Sequence, residues 1–379
     1  MSVAVKRGNG RPATTTADVE VKPDDAIPPV PFEHEELVIC RGARSGCYVI
    51  VAIHSTALGP ALGGVRLWHY PATIDGARDA LRLASGMTMK AAAAGLDLGG
   101  GKGVICAPDG PAPTDETRRG MLLDFGDLVE SLDGRYITAE DVGTTPRDLL
   151  AISERTNHVT GLPPERGGSG DPSPFTAVGV EAAMRACARA RFGSAALSGR
   201  RVVVVGMGHV GSELARRLAA AGADLAVSDI DPEKRTRAVA LGAEWLDPGE
   251  AMLAECEILA PCALGGAIDE ENLPLLRCRV ICGSANNQLA DERLADDLAG
   301  REILFAPDFI ANAGGLIHVY REIRGYSEEK AIELALGIED TMSRVLKAAR
   351  ERSIIPLEAA GELARERLDA ATAEPAAVA

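Results

Sequence analysis

The chain has 379 residues, of which 46% are apolar and 25% charged. Because one hydrophobic core rarely serves so long a chain, we expect two domains, each with its own interior. The formal net charge of -15 argues against a nucleic-acid partner, since phosphate binding requires a basic surface, and no apolar run is long enough to cross a membrane.

The N-terminus and the cysteines bear on the cellular compartment. No apolar stretch follows Lys6, Arg7 and Arg11, so we do not expect a secretory signal. The eight cysteines include no CxxC pair, which predicts reduced thiols, and with the histidines they lack the spacing of a zinc site. We therefore expect a cytoplasmic protein with no metal.

The first domain is expected at residues 31–165, after a disordered arm over residues 1–30 that is rich in Pro, Thr, Asp and Lys. Two apolar, β-branched stretches, Glu36–Cys40 and Tyr48–Ile53, predict neighbouring strands. In Ile74–Met89, apolar residues recur at steps of three and four, which predicts a helix.

A different pattern follows a boundary expected in the Gly- and Pro-rich segment Gly161–Pro174. Over residues 166–330, short apolar stretches alternate with helical patterns, as is typical of a doubly wound parallel sheet. The predicted elements are strand Arg201–Val205, helix Ser212–Ala221 and strands Ala223–Val227, Ile258–Ala260, Val280–Cys282 and Ile303–Phe305. The end of the chain, residues 331–379, is expected to pack back on the first domain through helices predicted at Glu328–Ala349 and Leu357–Ala371.

A glycine motif, Gly206-Met207-Gly208-His209-Val210-Gly211, follows the strand Arg201–Val205 and opens a helix. In GxGxxG, the first glycine permits a tight turn, the second lets the backbone approach a pyrophosphate, and the third lets helix and strand pack closely. A structural βαβ turn without a ligand is the alternative.

Asp229 stands 18 residues after Gly211, at the end of the next strand. Its carboxylate could bind the adenine-ribose 2′-hydroxyl and would repel a 2′-phosphate, which predicts NAD as the cofactor. A surface acid is the alternative, and Asp231 competes for the ribose, although its position favours a helix cap.

Two lysines lie in unusual surroundings. Lys90 follows the predicted helix, and Lys102 lies in the glycine-rich segment Gly99–Val104. A lysine is ordinarily a solvated surface charge. Desolvation and a nearby second lysine both lower a lysine pKa, so Lys102 is a candidate general base near neutral pH.

Several blocks of sequence form one pattern. They are Leu58–Arg66 (LGPALGGVR), Gly86–Lys90 (GMTMK), Gly99–Val104 (GGGKGV), Thr138–Gly143 (TAEDVG), Gly170–Ala177 (GDPSPFTA), the GxGxxG motif, Ala260–Gly266 (APCALGG), Gly283–Leu289 (GSANNQL) and Ala306–Gly315 (APDFIANAGG). The chain resembles, over roughly residues 35–370, the leucine/valine/phenylalanine dehydrogenase family, relatives of glutamate dehydrogenase, and most of all its valine and leucine enzymes. The resemblance implies an α/β protein with an N-terminal mixed-sheet substrate and dimerisation domain, a C-terminal Rossmann domain and a cleft that closes between them, forming a homo-oligomer.

The resemblance also implies an activity and its residues. The activity is reversible NAD-dependent oxidative deamination of leucine, valine or isoleucine to the 2-oxo acid and ammonia. Lys90 would bind the substrate carboxylate with help from Asn287, Lys102 would activate water, and Asp141 would exchange protons with the amino group. The backbone at Gly63 and Gly64 would approach the substrate. Asp141 as a turn cap and Asn287 as a structural loop residue are the alternatives.

Matching positions also suggest a side-chain pocket and further cofactor contacts. The pocket would be lined by Leu62, Ala139, Leu316 and Val319, all apolar, which favours a branched aliphatic substrate over glutamate. The cofactor would be contacted by Gly206, Gly208, His209, Val210, Gly211, Asp229, Thr176, Ala263 and Asn286. Relatives commonly have an aromatic residue and an asparagine beside the first lysine, where this chain has Met89 and Ala91.

Three other functions are alternatives for this sequence. The first is a phenylalanine dehydrogenase of the same family, although leucine at positions 62 and 316 leaves less space for an aromatic ring. A zinc-dependent alcohol dehydrogenase would need a metal constellation, which the sequence lacks. A catalytically silent NAD-binding regulator predicts loss of a lysine or of Asp141, and all three residues are present.

Overall fold

The computed structural model describes residues 33–108, 110 and 112–373, so the arm expected at residues 1–30 lies outside it. The described residues form two compact units, one made of residues 33–88 and the described part of Gly99–Val159, the other of Met89–Leu98 and residues 160–373. Each unit contains its own β-sheet. Of the helices in the described ranges, none has the length and apolar character to cross a lipid bilayer.

The first unit contains a five-stranded mixed sheet, as expected. Its elements are β1 (Glu36–Arg41), β2 (Tyr48–Ser55), β3 (Ala61–His69), α1 (Thr73–Ala93, whose last turn belongs to the second unit), β4 (Gly99–Ala107), α2 (Asp115–Glu130), β5 (Tyr136–Glu140) and α3 (Pro146–Ser153). The strand order is β1-β2-β4-β3-β5, and β2 runs antiparallel to β1 and β4, whereas β3 runs parallel to β4 and β5. The two strands predicted from apolar stretches are β1 and β2.

Helix α1 covers one face of this sheet with small side chains. Ala77, Ala80 and Ala84 recur at helical spacing and pack against Ala52 of β2 and Val104 of β4. The predicted end of the helix at Met89 is wrong, because α1 continues through three good helix-forming alanines to Ala93. Lys90 therefore lies in the last turn of α1 and not after it.

The second unit contains a six-stranded, wholly parallel sheet. Its elements are α4 (Ser173–Phe192), β6 (Arg201–Val205), α5 (His209–Ala220), β7 (Asp224–Ser228), α6 (Arg235–Ala240), β8 (Glu244–Trp245), α7 (Pro248–Ala251), β9 (Ile258–Pro261), β10 (Val280–Ile281), α8 (Leu294–Gly300), β11 (Leu304–Phe305), α9 (Asp308–Ala311), α10 (Gly314–Arg324), α11 (Glu328–Leu336), α12 (Ile338–Arg352) and α13 (Pro356–Ala373). The order β8-β7-β6-β9-β10-β11 is the 3-2-1-4-5-6 order of the doubly wound dinucleotide fold. This confirms the predicted fold class.

Residues of the central strand explain why this sheet was predictable. Val202, Val203 and Val204 of β6 are fully buried, as a parallel strand covered on both faces requires. Strand order reverses between β6 and β9, and ligands of such folds bind at the carboxyl ends of the strands beside that point. The long helix predicted at Glu328–Ala349 is instead two helices, because Gly337 separates α11 from α12.

Candidate active site

Lys102 lies in the middle of β4, which pairs with β2 on one side and β3 on the other. Side chains alternate along a strand, so Lys102 shares a face with Val104, which packs against α1. Gly103 points to the opposite face, where a Cβ would come 2.4 Å from the ring of Phe125. Lys102 is only 5% exposed, so its ammonium has lost almost all of its contact with water.

Asp141 directly follows β5 and forms an ion pair with this lysine. Lys102 Nζ lies 2.9 Å from Asp141 Oδ2, and Arg66 Nε of β3 donates to the same oxygen at 3.0 Å. Burial lowers the pKa of Lys102, and the attraction of Asp141 opposes this without cancelling it. Burial alone would raise the pKa of Asp141, but Lys102 and Arg66 outweigh it and keep the pKa below its usual value. The structure therefore joins a buried amine that is easier to deprotonate than usual to an ionised carboxylate.

Gly63 and Gly64 of β3 are required by the packing of strands around this pair. A Cβ at Gly63 would lie 1.7 Å from the carbonyl oxygen of Gly101, and one at Gly64 would lie 2.4 Å from the carbonyl oxygen of Glu140 and 2.8 Å from Asp141 Cβ. Neither position could carry a side chain without moving backbone. The backbone at these glycines therefore lies directly against the strands that hold the ion pair.

Lys90 lies with a group of amides in the second unit. Its Nζ donates to Asn286 Oδ1 at 2.9 Å, and Asn312 Nδ2 donates to the same oxygen at 2.8 Å. Asn287, expected beside Lys90 from the resemblance, adopts a left-handed backbone with φ of 50°, and its carbonyl accepts from Gly266 N at 2.7 Å. The side-chain amide of Asn286 is thus one hydrogen-bond partner of the Lys90 ammonium.

The glycine motif forms the turn between β6 and α5. Gly206 has φ of +105°, and a Cβ there would meet Ala263 Cβ at 2.8 Å. A Cβ at Gly211 would lie 1.9 Å from the carbonyl oxygen of Gly206, so helix and turn pack too closely for any other residue. Gly208 caps the N-terminus of α5, and a Cβ there would meet nothing within 4 Å. One glycine makes the turn, one leaves room above it and one permits packing, as binding of a pyrophosphate requires.

Asp229 follows β7 and is tied to this turn. Its carboxylate accepts from Met207 N at 2.6 Å, Asp231 N at 2.9 Å and Lys234 Nζ at 3.0 Å. Burial opposes ionisation, but these donors hold the pKa of Asp229 below its usual value. Asp231 caps the short 3₁₀ helix Pro232–Lys234 with its side chain, which confirms the cap predicted for it.

Other residues predicted to contact the cofactor lie on helices of the second unit. The side chain of His209 is 86% exposed at the start of α5, with Nδ1 3.8 Å from Asp171 Oδ2, and Val210 follows it half-buried. Thr176 is buried in α4 and donates from its hydroxyl to the carbonyl of Pro172 at 3.1 Å.

Of the four residues predicted to line a side-chain pocket, two belong to the first unit and two to the second. Leu62, 1% exposed, and Ala139, half-buried, lie on β3 and β5. Leu316, 8% exposed, and Val319, half-buried, lie on α10. All four residues are apolar and lie on strands or a helix.

Sequence reasoning missed two functional candidates, Arg66 and Asn312. Both lie inside blocks that carried the resemblance, LGPALGGVR and APDFIANAGG. The signal available was polarity: each is a hydrogen-bonding side chain among apolar and small residues, where burial without a partner is costly.

Models of known protein families match long segments of this chain. Residues 38–158 match the model of the Glu/Leu/Phe/Val dehydrogenase dimerisation domain, and residues 230–374 match that of Glutamate/Leucine/Phenylalanine/Valine dehydrogenase. Residues 179–270, which include the glycine turn, also match the NAD binding domain of D-isomer specific 2-hydroxyacid dehydrogenases.

Individual relatives cover nearly the whole chain. Leucine dehydrogenase of Thermoactinomyces intermedius is 46% identical over 89% of this chain and 92% of its own length. Valine dehydrogenase of Streptomyces virginiae is 42% identical over 88% of this chain and 94% of its own. The crystal structure of L-tryptophan dehydrogenase from Nostoc punctiforme has a TM-score of 0.79 at 38% identity, over 90% of this chain and 98% of that one. This chain belongs to the Glu/Leu/Phe/Val dehydrogenase family.

Proposed function

We propose that the protein is an NAD-dependent amino-acid dehydrogenase that oxidatively and reversibly deaminates leucine, valine or isoleucine to the 2-oxo acid and ammonia. The observation that carries the proposal is the buried ion pair of Lys102 and Asp141, at 2.9 Å. It occurs in a chain 46% identical to a leucine dehydrogenase and 42% identical to a valine dehydrogenase.

NAD fits the turn between β6 and α5. Gly208 has open space above it, the first backbone N–H groups of α5 can bind a pyrophosphate, and Asp229 is ionised at the end of β7 for the adenine ribose. Thr176, Ala263 and Asn286 would complete the site. When bound, NAD supplies the acceptor for the hydride that leaves the substrate Cα.

The residues of the chain supply binding and proton transfer. Lys90 binds the substrate carboxylate. Asp141 takes a proton from the substrate amino group before oxidation, and later returns one to the departing ammonia. Lys102, as the neutral amine, removes a proton from the water that adds to the imino acid; the ammonium so formed stabilises the oxyanion as the carbinolamine collapses. The lowered pKa of Lys102 supports this role, because a base must be neutral at the working pH.

The proposed substrate class is supported by the apolar character of the residues predicted to line the pocket, Leu62, Ala139, Leu316 and Val319. A glutamate γ-carboxylate among them would be a buried charge without a partner, which is heavily penalised. A fitting apolar side chain gains roughly 1–3 kcal/mol for each added methylene.

The test is catalytic efficiency with a panel of amino acids at saturating NAD, followed by NADH absorbance. The panel contains L-leucine, L-valine, L-isoleucine, L-phenylalanine, L-tryptophan and L-glutamate. Tryptophan is included because one of the similar solved structures is a tryptophan dehydrogenase. We expect the highest catalytic efficiency with a branched substrate. A higher efficiency with an aromatic amino acid or with glutamate than with all three branched substrates would refute the assignment of the pocket.

We also propose a homo-oligomer that acts in the cytoplasm. The match of residues 38–158 to a dimerisation domain supports association, and eight free thiols suit a reducing compartment. Light scattering of the purified protein should give a mass of at least twice 39.5 kDa. A monomer at assay concentration would refute the association.

A further inference from the structure

Arg66 links the candidate catalytic carboxylate to helix α1. Its Nε donates to Asp141 Oδ2 at 3.0 Å, and its Nη1 donates to Asp79 Oδ2 of α1 at 2.8 Å. The three side chains are between 16% and 21% exposed. A guanidinium is planar with its donors in a rigid fork, so two bound carboxylates fix its orientation.

The far end of this link is itself held. The hydroxyl of Tyr70 donates to Asp79 Oδ2 at 2.7 Å, and Arg82 Nη2 donates to Asp79 Oδ1 at 2.9 Å. Burial alone would raise the pKa of Asp79, but Tyr70, Arg82 and Arg66 together lower it, so Asp79 is ionised. Arg66 therefore cannot turn away from Asp141 without leaving a fixed anion behind.

Both cations beside Asp141 bind one oxygen. Lys102 Nζ and Arg66 Nε contact Oδ2, and no side-chain hydrogen bond within the described chain uses Oδ1. A carboxylate oxygen that accepts from two fixed donors sets the rotation of the whole group, while the second oxygen keeps its lone pairs.

We propose that Arg66, anchored by Asp79 and Tyr70, is a positioning residue that fixes the Asp141 carboxylate through Oδ2 and reserves Oδ1 for proton exchange with the substrate amino group. This inference rests on the proposed dehydrogenase function. Arg66 itself does not touch the substrate; it acts through Asp141.

The charges around Asp141 make the inference testable by pH. Asp141 faces Lys102 of β4, Arg66 of β3 and the phenol of Tyr136 of β5, and Asp79 lies behind Arg66. The positive Arg66 lowers the pKa of both Asp141 and Lys102, whereas the negative Asp79 raises the pKa of Lys102. Removing these opposite charges should therefore move the pH profile in opposite directions.

The experiment measures kcat and KM of the full-length Arg66→Gln and Asp79→Asn variants across pH, with L-leucine and saturating NAD. For Arg66→Gln we expect kcat to fall about 10- to 100-fold, as misplacement of a catalytic group does, with KM changed less than about threefold. The acid limb, along which the rate rises with pH, should move to higher pH in Arg66→Gln and to lower pH in Asp79→Asn.

Two further variants separate position from charge. Arg66→Lys should return the acid limb to its original pH, because the charge is restored, but recover only part of kcat, because an ammonium lacks the fork that binds both carboxylates. Arg78→Gln is the matched control: it removes an ion pair with Asp75 from the same helix, where the side chains are 73% and 40% exposed. It should leave kcat and the pH profile unchanged, and thermal unfolding checks that each variant is folded.

The outcomes distinguish this inference from the proposed function. A parent protein that oxidises no amino acid refutes the function. If the parent is active, two outcomes refute only the positioning role. One is that Arg66→Gln keeps kcat within about twofold of the parent; the other is that Arg66→Gln and Asp79→Asn shift the acid limb in the same direction. If Arg66→Gln fails to fold, the acid limb of Asp79→Asn decides: a shift to lower pH supports the inference, and no shift or a shift to higher pH refutes it.

Discussion

Replacing Lys102 with alanine removes the buried ammonium that lies 2.9 Å from Asp141 Oδ2. Loss of a general base typically costs a factor of about 100 to 10,000, and loss of an oxyanion contact about 100 to 1,000. Because one group performs both tasks, the two losses do not simply multiply. We expect kcat to fall at least about 1,000-fold, which corresponds to roughly 4 kcal/mol of transition-state stabilisation.

Lys102→Ala should reduce the stability of the fold much less than it reduces turnover. Removing one partner of a buried ion pair costs roughly 3–5 kcal/mol when the other charge is left alone. Asp141 keeps Arg66 at 3.0 Å, so the free energy of unfolding should fall by less than that. Lys102→Met is the control for the cavity, because methionine refills most of the apolar volume without a base.

The assay compares kcat at saturating L-leucine and NAD with NADH affinity, measured by NADH fluorescence. The cofactor turn Gly206–Gly211 belongs to the second unit and Lys102 to the first, so NADH affinity should change less than about threefold. A folded Lys102→Ala variant that keeps a tenth of the parental turnover would refute the role of base. So would restoration of turnover in Lys102→Met.

Three other predictions concern pH, cofactor and packing. The acid limb of kcat/KM should have its midpoint below 10.5, because burial favours the neutral Lys102 amine, and a midpoint at or above that value would contradict the assignment. Asp229→Ser should narrow the preference for NAD over NADP by removing the charge that repels a 2′-phosphate; an unchanged ratio of catalytic efficiencies would argue against the ribose contact. Gly63→Ala should lower the free energy of unfolding by about 1–3 kcal/mol, because its Cβ would lie 1.7 Å from the carbonyl oxygen of Gly101. Gly86→Ala should raise the free energy of unfolding by about 0.5–1 kcal/mol, because Gly86 lies within helix α1 and a Cβ there would meet nothing within 4 Å. Urea titration measures both changes, and equal effects would refute the packing argument.

The second unit was predictable because its signals are local. Strand Arg201–Val205, the glycine turn and Asp229 follow one another within 29 residues, and each has a meaning of its own in the βαβ unit. The predicted bounds of β6 agree with the structure, and the start of α5 differs only because the helix begins within the glycine motif.

The first unit gave weaker signals. Strand β4 begins Gly99-Gly100-Gly101, and glycine is depleted in strands, so its apolar pattern is hidden. These glycines are explained only by neighbours: a Cβ at Gly100 would lie 2.1 Å from Thr88 N of α1. Such contacts depend on which elements pack together, which composition and periodicity do not specify.

The same reason hides the partner of Arg66. Its contact with Asp79 joins a strand to a helix 13 residues later, and its contact with Asp141 spans 75 residues. Both depend on sheet order and on the approach of α1. The resemblance supplied Asp141 and Lys102 as separate assignments, but the hydrogen bonds that unite them with Arg66 required the three-dimensional structure.

The position of Lys102 in the middle of β4 has a consequence for hydrogen exchange. Because β4 pairs with β2 and β3 over most of its length, its amides should exchange with deuterium only in rare, large openings of the unit. The amine that we propose as the base is therefore attached to a part of the backbone that we expect to open least often. Substrate analogues should slow exchange in loops and helix ends but leave the β4 amides, already near the limit set by global unfolding, almost unchanged.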